Sequence, residues 1–104
     1  MAIETRPFDA AKYFKAPEDQ MELIDDALET GDPGYIVNAI GVIARARGMT
    51  DLAGELGVSR TSLYAALKEG GNPGFATVLK VLRALGIELA ARPVRERIPE
   101  AAEA

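Results

Sequence analysis

The sequence predicts an all-α protein, a compact bundle of about five helices containing a helix-turn-helix, with residues 87–92 open to either a short C-terminal strand or an extended tail. Three observations predict it. Apolar residues recur at three- and four-residue spacing through most of the chain, as in helices with one buried face. These stretches begin at Asp, Ser, Thr or Pro and stop at Gly, as helix boundaries do. The twenty residues from Asp51 to Gly70 read as two short helices joined by a sharp turn.

Within that stretch Ala53 lies four residues before Gly57, and Leu63 six residues after it. A small residue at Ala53 lets the second helix approach the first. Gly57 stands where the chain must turn, and a positive φ costs glycine little. Val58 and Leu63 are expected to fill the angle between the helices, and Ser59 to cap the second one. A motif of this kind places one helix in the major groove of DNA.

The remaining elements follow in order. Asp9 is expected to cap a short helical stretch at Ala10–Lys15. Pro17 suits the first turn of the next helix, and Glu18 and Asp19 favour its N-terminus electrostatically. Met21, Ile24, Ala27 and Leu28 give that helix one apolar face, and Gly31 ends it. Asp32-Pro33 restarts the chain as N-cap and first helical residue, with Ile36, Val37, Ile40, Ile43 and Ala44 as the buried stripe. Arg45 and Arg47 fall in the last turn before Gly48. Thr50 is expected to cap Asp51–Leu56, with Leu52, Ala53 and Leu56 inward, and Leu63, Ala66 and Leu67 form the inner face of the helix after Ser59. Residues 70–74, Gly-Gly-Asn-Pro-Gly, are a loop by composition. A final helix carries Phe75, Val78, Leu79 and Leu82, with Leu85 near its end and Gly86 as the stop. If residues 87–92 formed a lone strand, a second copy or a partner would have to satisfy its backbone. The organisation read from this is an N-terminal segment 1–17, a helix-turn-helix domain 18–93 and a flexible tail 94–104. Residues 87–92 are a candidate part of a dimer interface.

The 104 residues suit one small domain, and 48% hydrophobic with 27% charged residues mark a globular chain. No apolar run approaches the ~20 residues that span a bilayer, and the N-terminus lacks a signal-peptide pattern. There is no cysteine and no histidine. Thiol chemistry, cysteine metal sites and the commonest general base are thereby removed. A cytoplasmic, non-enzymatic protein with no cofactor, no metal and no membrane contact is the resulting expectation.

The net charge of −4 is unusual for a protein that meets DNA, but the charge is segregated. Residues 1–44 carry nine acids and three bases, residues 45–95 eight bases and four acids, and residues 96–104 three acids and one base. This suggests phosphate contact on one face and a basic partner for another.

On a helix opening at Ser59, Arg60, Thr61 and Ser62 are the first exposed side chains, followed by Tyr64, Ala65 and Lys68. Arg60 is the candidate for a bidentate guanine contact. Thr61 offers a hydroxyl or methyl, and Ala65 leaves room for a thymine methyl. Ser59, Ser62, Tyr64 and Lys68 are within reach of phosphates, as is Asn72 from the loop. Ser59 is also a structural cap, and Tyr64 is equally readable as a packing residue. The glycine-rich loop lacks the Lys and Ser/Thr of a P-loop. The acids of residues 18–32 fit a solvated helix face better than a metal site. No carboxylate pair is accompanied by a nucleophile, so no catalytic constellation is present.

The run Leu52-Ala53, Leu56-Gly57-Val58-Ser59, Leu63, Gly71-Asn72-Pro73 and Leu79, Leu82, Leu85-Gly86 resembles the Cro/C1-type (Xre-like, lambda-repressor-like) helix-turn-helix domains. A closer resemblance, carried by residues 43–50, 59–64, 71–73 and 78–86, is to the addiction module antidotes, the HigA-like antitoxins of type II toxin–antitoxin systems. Asp9–Phe14 and Gly31-Asp32 extend it upstream. It implies a homodimer that binds a small basic toxin of the RelE/HigB type and the double-stranded DNA of its own operator, repressing its operon. By carry-over, Arg60, Thr61, Ser62 and Ala65 match the operator-contacting face, with Tyr64 beside it. One departure stands out: the usual glutamine at the start of the first motif helix is replaced by the Thr50-Asp51 region, and an aspartate is a poor phosphate partner. Two other functions fit the same residues: a stand-alone transcriptional regulator without a toxin, and an interaction module that has lost DNA binding.

Overall fold

The computed structural model describes residues 10–94. A 3-10 turn at Ala10–Tyr13 leads into five α-helices: α1 (Pro17–Thr30), α2 (Pro33–Arg47), α3 (Met49–Leu56), α4 (Arg60–Leu67) and α5 (Phe75–Ala84). No strand occurs among the described residues. The expected Asp9 cap lies outside them.

The helix boundaries follow local chemistry. Pro17 opens α1 with Glu18 and Asp19 in the first turn, and Gly31 closes it in the left-handed region at φ 70°. The Asp32 carboxylate accepts from the Gly34 and Tyr35 amides at 2.9 and 3.4 Å, with Pro33 in the first turn of α2. Gly48 alone separates α2 from α3. Thr50 is not a cap: α3 begins two residues earlier than expected, at Met49, and its N-cap residue Gly48 gives no side-chain cap. The Gly48 carbonyl instead accepts the Leu52 amide. Buried Met49, 5% exposed, gives the helix an apolar first residue to anchor.

Helix α2 is the centre of the bundle. It packs against α1, α3, α4 and the 3-10 turn, while α3 also contacts α4 and α5. Ile40, Ile43 and Ala44 form its inner stripe as the periodicity predicts, and Ile36 packs at the margin. Around them close Ile24 and Ala27, Leu52 and Ala53, Leu63 and Leu67, and Val81, Leu82 and Leu85.

Several faces are rotated from those predicted. On α1, Met21 and Leu28 remain about 40% exposed, whereas Gln20 is buried. The Gln20 Nε2 donates to the Phe14 carbonyl at 2.7 Å and so fixes the link into α1. Phe75 (66% exposed) and Leu79 (37%) lie on the outside of α5, and Val81 is buried. Val58 is 45% exposed and leaves the interhelical angle to Leu63.

Residues 87–94 form neither strand nor helix. The Ile87 amide bonds back to the Leu82 carbonyl at 2.8 Å, Ile87 is buried, and Leu89 packs against the core. Arg92 then reaches α1, donating to Asp25 at 2.8 Å and Glu29 at 3.1 Å. The segment is held by side chains, so the pairing that a lone strand would need is not required.

Candidate nucleic-acid interface

The turn between α3 and α4 sets the direction of α4. Gly57 sits at φ 71°. The Gly57 and Val58 amides donate to the Gly54 and Ala53 carbonyls at 3.2 and 3.1 Å, closing α3 in the manner of a left-handed helix end. Ala53 is 3% exposed and allows the close crossing. The Ser59 hydroxyl accepts from the Ser62 amide at 3.0 Å and donates to the Ser62 hydroxyl at 2.9 Å. Ser59 is therefore engaged as a cap, and its neighbour Ser62 keeps a hydroxyl hydrogen at the helix entrance.

Leu63 and Leu67 anchor α4 from below, 3% and 2% exposed. Two glycines fix its height: Gly41, which sequence reasoning did not single out, and Gly71 of the expected loop. A Cβ built on Gly41 of α2 would meet the Leu67 carbonyl oxygen at 2.6 Å, so only glycine lets the end of α4 rest on α2. A Cβ on Gly71 would collide with the carbonyls of Ala66 and Ala65. The signal available for both was a glycine in or beside a helix, where it costs roughly 1 kcal/mol against alanine and so implies a close approach.

With Leu63 and Leu67 inward, Arg60, Thr61, Ser62, Tyr64 and Ala65 are all exposed on α4, with Ser59 and Lys68 exposed at its two ends and Asn72 exposed in the following loop. Sequence-predicted residues thus share one solvent-facing helix. Arg60 and Tyr64 form a unit within it: the guanidinium carbon lies 5.2 Å from the ring centroid, and Nη2 donates to the phenol oxygen at 3.4 Å. One turn apart, they give the arginine an aromatic support.

Not every base of the C-terminal half belongs to this face. Arg47 donates to the Leu85 carbonyl at 2.6 Å, tying the end of α2 to the end of α5. Arg92 is bound to α1. By contrast α1 holds six acids and no base. Among the described residues no group of three acids is placed to hold a metal ion, and no helix is long and apolar enough to cross a membrane.

The fold and this face define an all-helical bundle that presents a short polar helix on one side and an acidic helix on another. A family model described as "Probable addiction module antidote protein" matches residues 4–93, and the chain belongs to that family. That description supports an antitoxin role, implies a toxin as partner and suggests a regulatory protein. An uncharacterized protein of Haemophilus influenzae (strain Rd) is 39% identical over 88 residues, spanning 85% of this chain and 91% of that protein. No solved structure matches the chain. The antidote part of the resemblance read from residues 43–86 is thereby borne out.

Proposed function

We propose that this antitoxin neutralises a small basic toxin of the RelE/HigB type by direct binding, and represses its own operon through α4. The observation that carries the DNA half is the exposed face of α4, with Arg60 at its first position and two leucines fixing it from behind. In a HigA-like, Cro/C1-type helix-turn-helix, α3 crosses the backbone and α4 enters the major groove. Arg60 reads a guanine, Thr61 and Ala65 face neighbouring bases, and Ser62, Lys68 and Asn72 meet phosphates. Tyr64 is reassigned from phosphate contact to support of Arg60. A homodimer presents two such helices to half-sites about 34 Å apart.

Asp51 in the first turn of α3 opposes phosphate there. DNA affinity is therefore low for the antitoxin alone and rises when the basic toxin is bound. A gel shift on the DNA upstream of the gene, at fixed salt, tests this. Arg60→Ala is expected to weaken binding about 5- to 150-fold, from roughly 1–3 kcal/mol of lost base readout. Unchanged affinity removes Arg60 from the reading. Toxin neutralisation is tested at the adjacent reading frame: if it encodes a small basic protein that arrests growth, co-expression of this chain is expected to restore growth, and the absence of such a frame favours a stand-alone regulator.

A further inference from the structure

A groove of ≈ 1210 Å³ runs between α1 and residues 87–94. Ile24, Ile87 and Leu89 form its floor, while Met21 and Leu28 stand exposed along its α1 wall. Met21, Ile24 and Leu28 are spaced three and four apart, an apolar ridge along one helix. Glu22, Asp25, Asp26 and Glu29 flank the ridge. Within this groove Arg92 bridges Asp25 and Glu29, its side chain half exposed at 51%.

We infer that this groove seats a basic amphipathic helix of the toxin, and that Arg92 holds the place of an arginine or lysine from that helix. The inference rests on the antitoxin reading and names the surface through which it acts. Charge selects the occupant. Helix α1 offers six acids and no base, so a cationic helix is attracted and its apolar side meets the Met21–Leu28 ridge. A second copy of this chain would bring the same acidic face and be repelled. Residues 95–104 of the chain carry two arginines against three glutamates and are a poor complement. Arg92 shows that a guanidinium fits between the two carboxylates. Because the pair is solvent-exposed it contributes little and is displaceable.

The probe is a RelE/HigB-type toxin, a small basic protein of the kind to be sought in the reading frame adjacent to this gene, titrated calorimetrically into the full chain at fixed low salt. The uncharged double variant Asp25→Asn/Glu29→Gln is expected to bind about ten-fold or more weakly. Met21→Ser/Leu28→Ser is expected to weaken binding to a similar degree. Arg92→Ala is expected to bind about three-fold more tightly, because an exposed competing pair has been removed. Wild-type binding that both double variants retain overturns the groove and leaves the antitoxin reading standing. Absence of wild-type binding, together with no protection of cells, overturns both. Loss of affinity in Arg92→Ala overturns its place-holding role. Sedimentation closes the remaining routes: a dimer lost in Asp25→Asn/Glu29→Gln makes the occupant a second copy, and tighter binding after deletion of residues 95–104 makes it the chain's own tail, each overturning the inference.

Discussion

Helices α1 and α4 both lean on α2, yet they differ in nearly every surface property. Helix α1 has 14 residues, six acids and no base; α4 has eight residues, one arginine and no acid. The central helix between them carries no charge until Arg45 and Arg47 in its last turn. One apolar scaffold thus separates two surfaces of different sign. Under the proposed function, the separation serves as selection in both directions. Phosphates are repelled from α1, and a cationic protein gains nothing at α4. The attachments also differ: α1 is pinned by Ile24, Ala27 and the buried Gln20 amide, whereas α4 rests on two leucines and a glycine contact.

The contrast is broken most severely at the α4 anchor. Leu67→Ala is expected to cost about 2–5 kcal/mol, since a fully buried leucine is replaced by a cavity. Urea unfolding should show a lower midpoint with an unchanged slope. Gly41→Ala comes next, at about 1–3 kcal/mol, because its methyl must push the Leu67 carbonyl away. That displacement shifts α4 and leaves α1 in place, so a gel shift should show weaker DNA binding while toxin affinity stays within two-fold by the rule that distant sites add. Equal losses at both partners would mean that the two surfaces are coupled. Ser59→Ala removes the α4 cap and should cost ~1 kcal/mol, Ser59→Gly only a few tenths, as read by thermal melts. The smallest effect on an alanine variant belongs to Tyr64→Ala, which leaves the Arg60 guanidinium without its ring. About 0.5–1 kcal/mol of support is lost, two- to five-fold in DNA affinity, with the melting temperature unchanged.

Much of this was legible in the sequence where one residue decides one feature. Asp32-Pro33, Gly57 and Ser59 each carry a local signal, and each stands where that signal places it. The exposed set on α4 follows from the leucines at 63 and 67 alone. What was not legible depends on neighbours distant in the chain. The outward turn of Phe75 and Leu79 reflects which side of α5 meets α3, a rotation that a 3.6-residue period leaves open by one position. The strand considered for residues 87–92 gave way to Ile87 and Leu89 packing and to the bridge from Arg92 to α1. Arg47 was readable as a last-turn cation, but its partner lies 38 residues away. Thr50 failed as a cap because the burial of Met49 starts α3 two residues sooner.

The Arg47 bond to the Leu85 carbonyl has a mechanical consequence. It joins the exit of α2 to the exit of α5, so everything from α3 to α5 lies inside a closed clasp. The chain beyond Leu85 lies outside it. Residues 87–94 follow it, held to the core by Ile87 and Leu89 and to α1 by Arg92. The clasp acts as a firebreak: a disturbance of residues 87–94 meets the Arg47 bond before it reaches the backbone of α5 or α4.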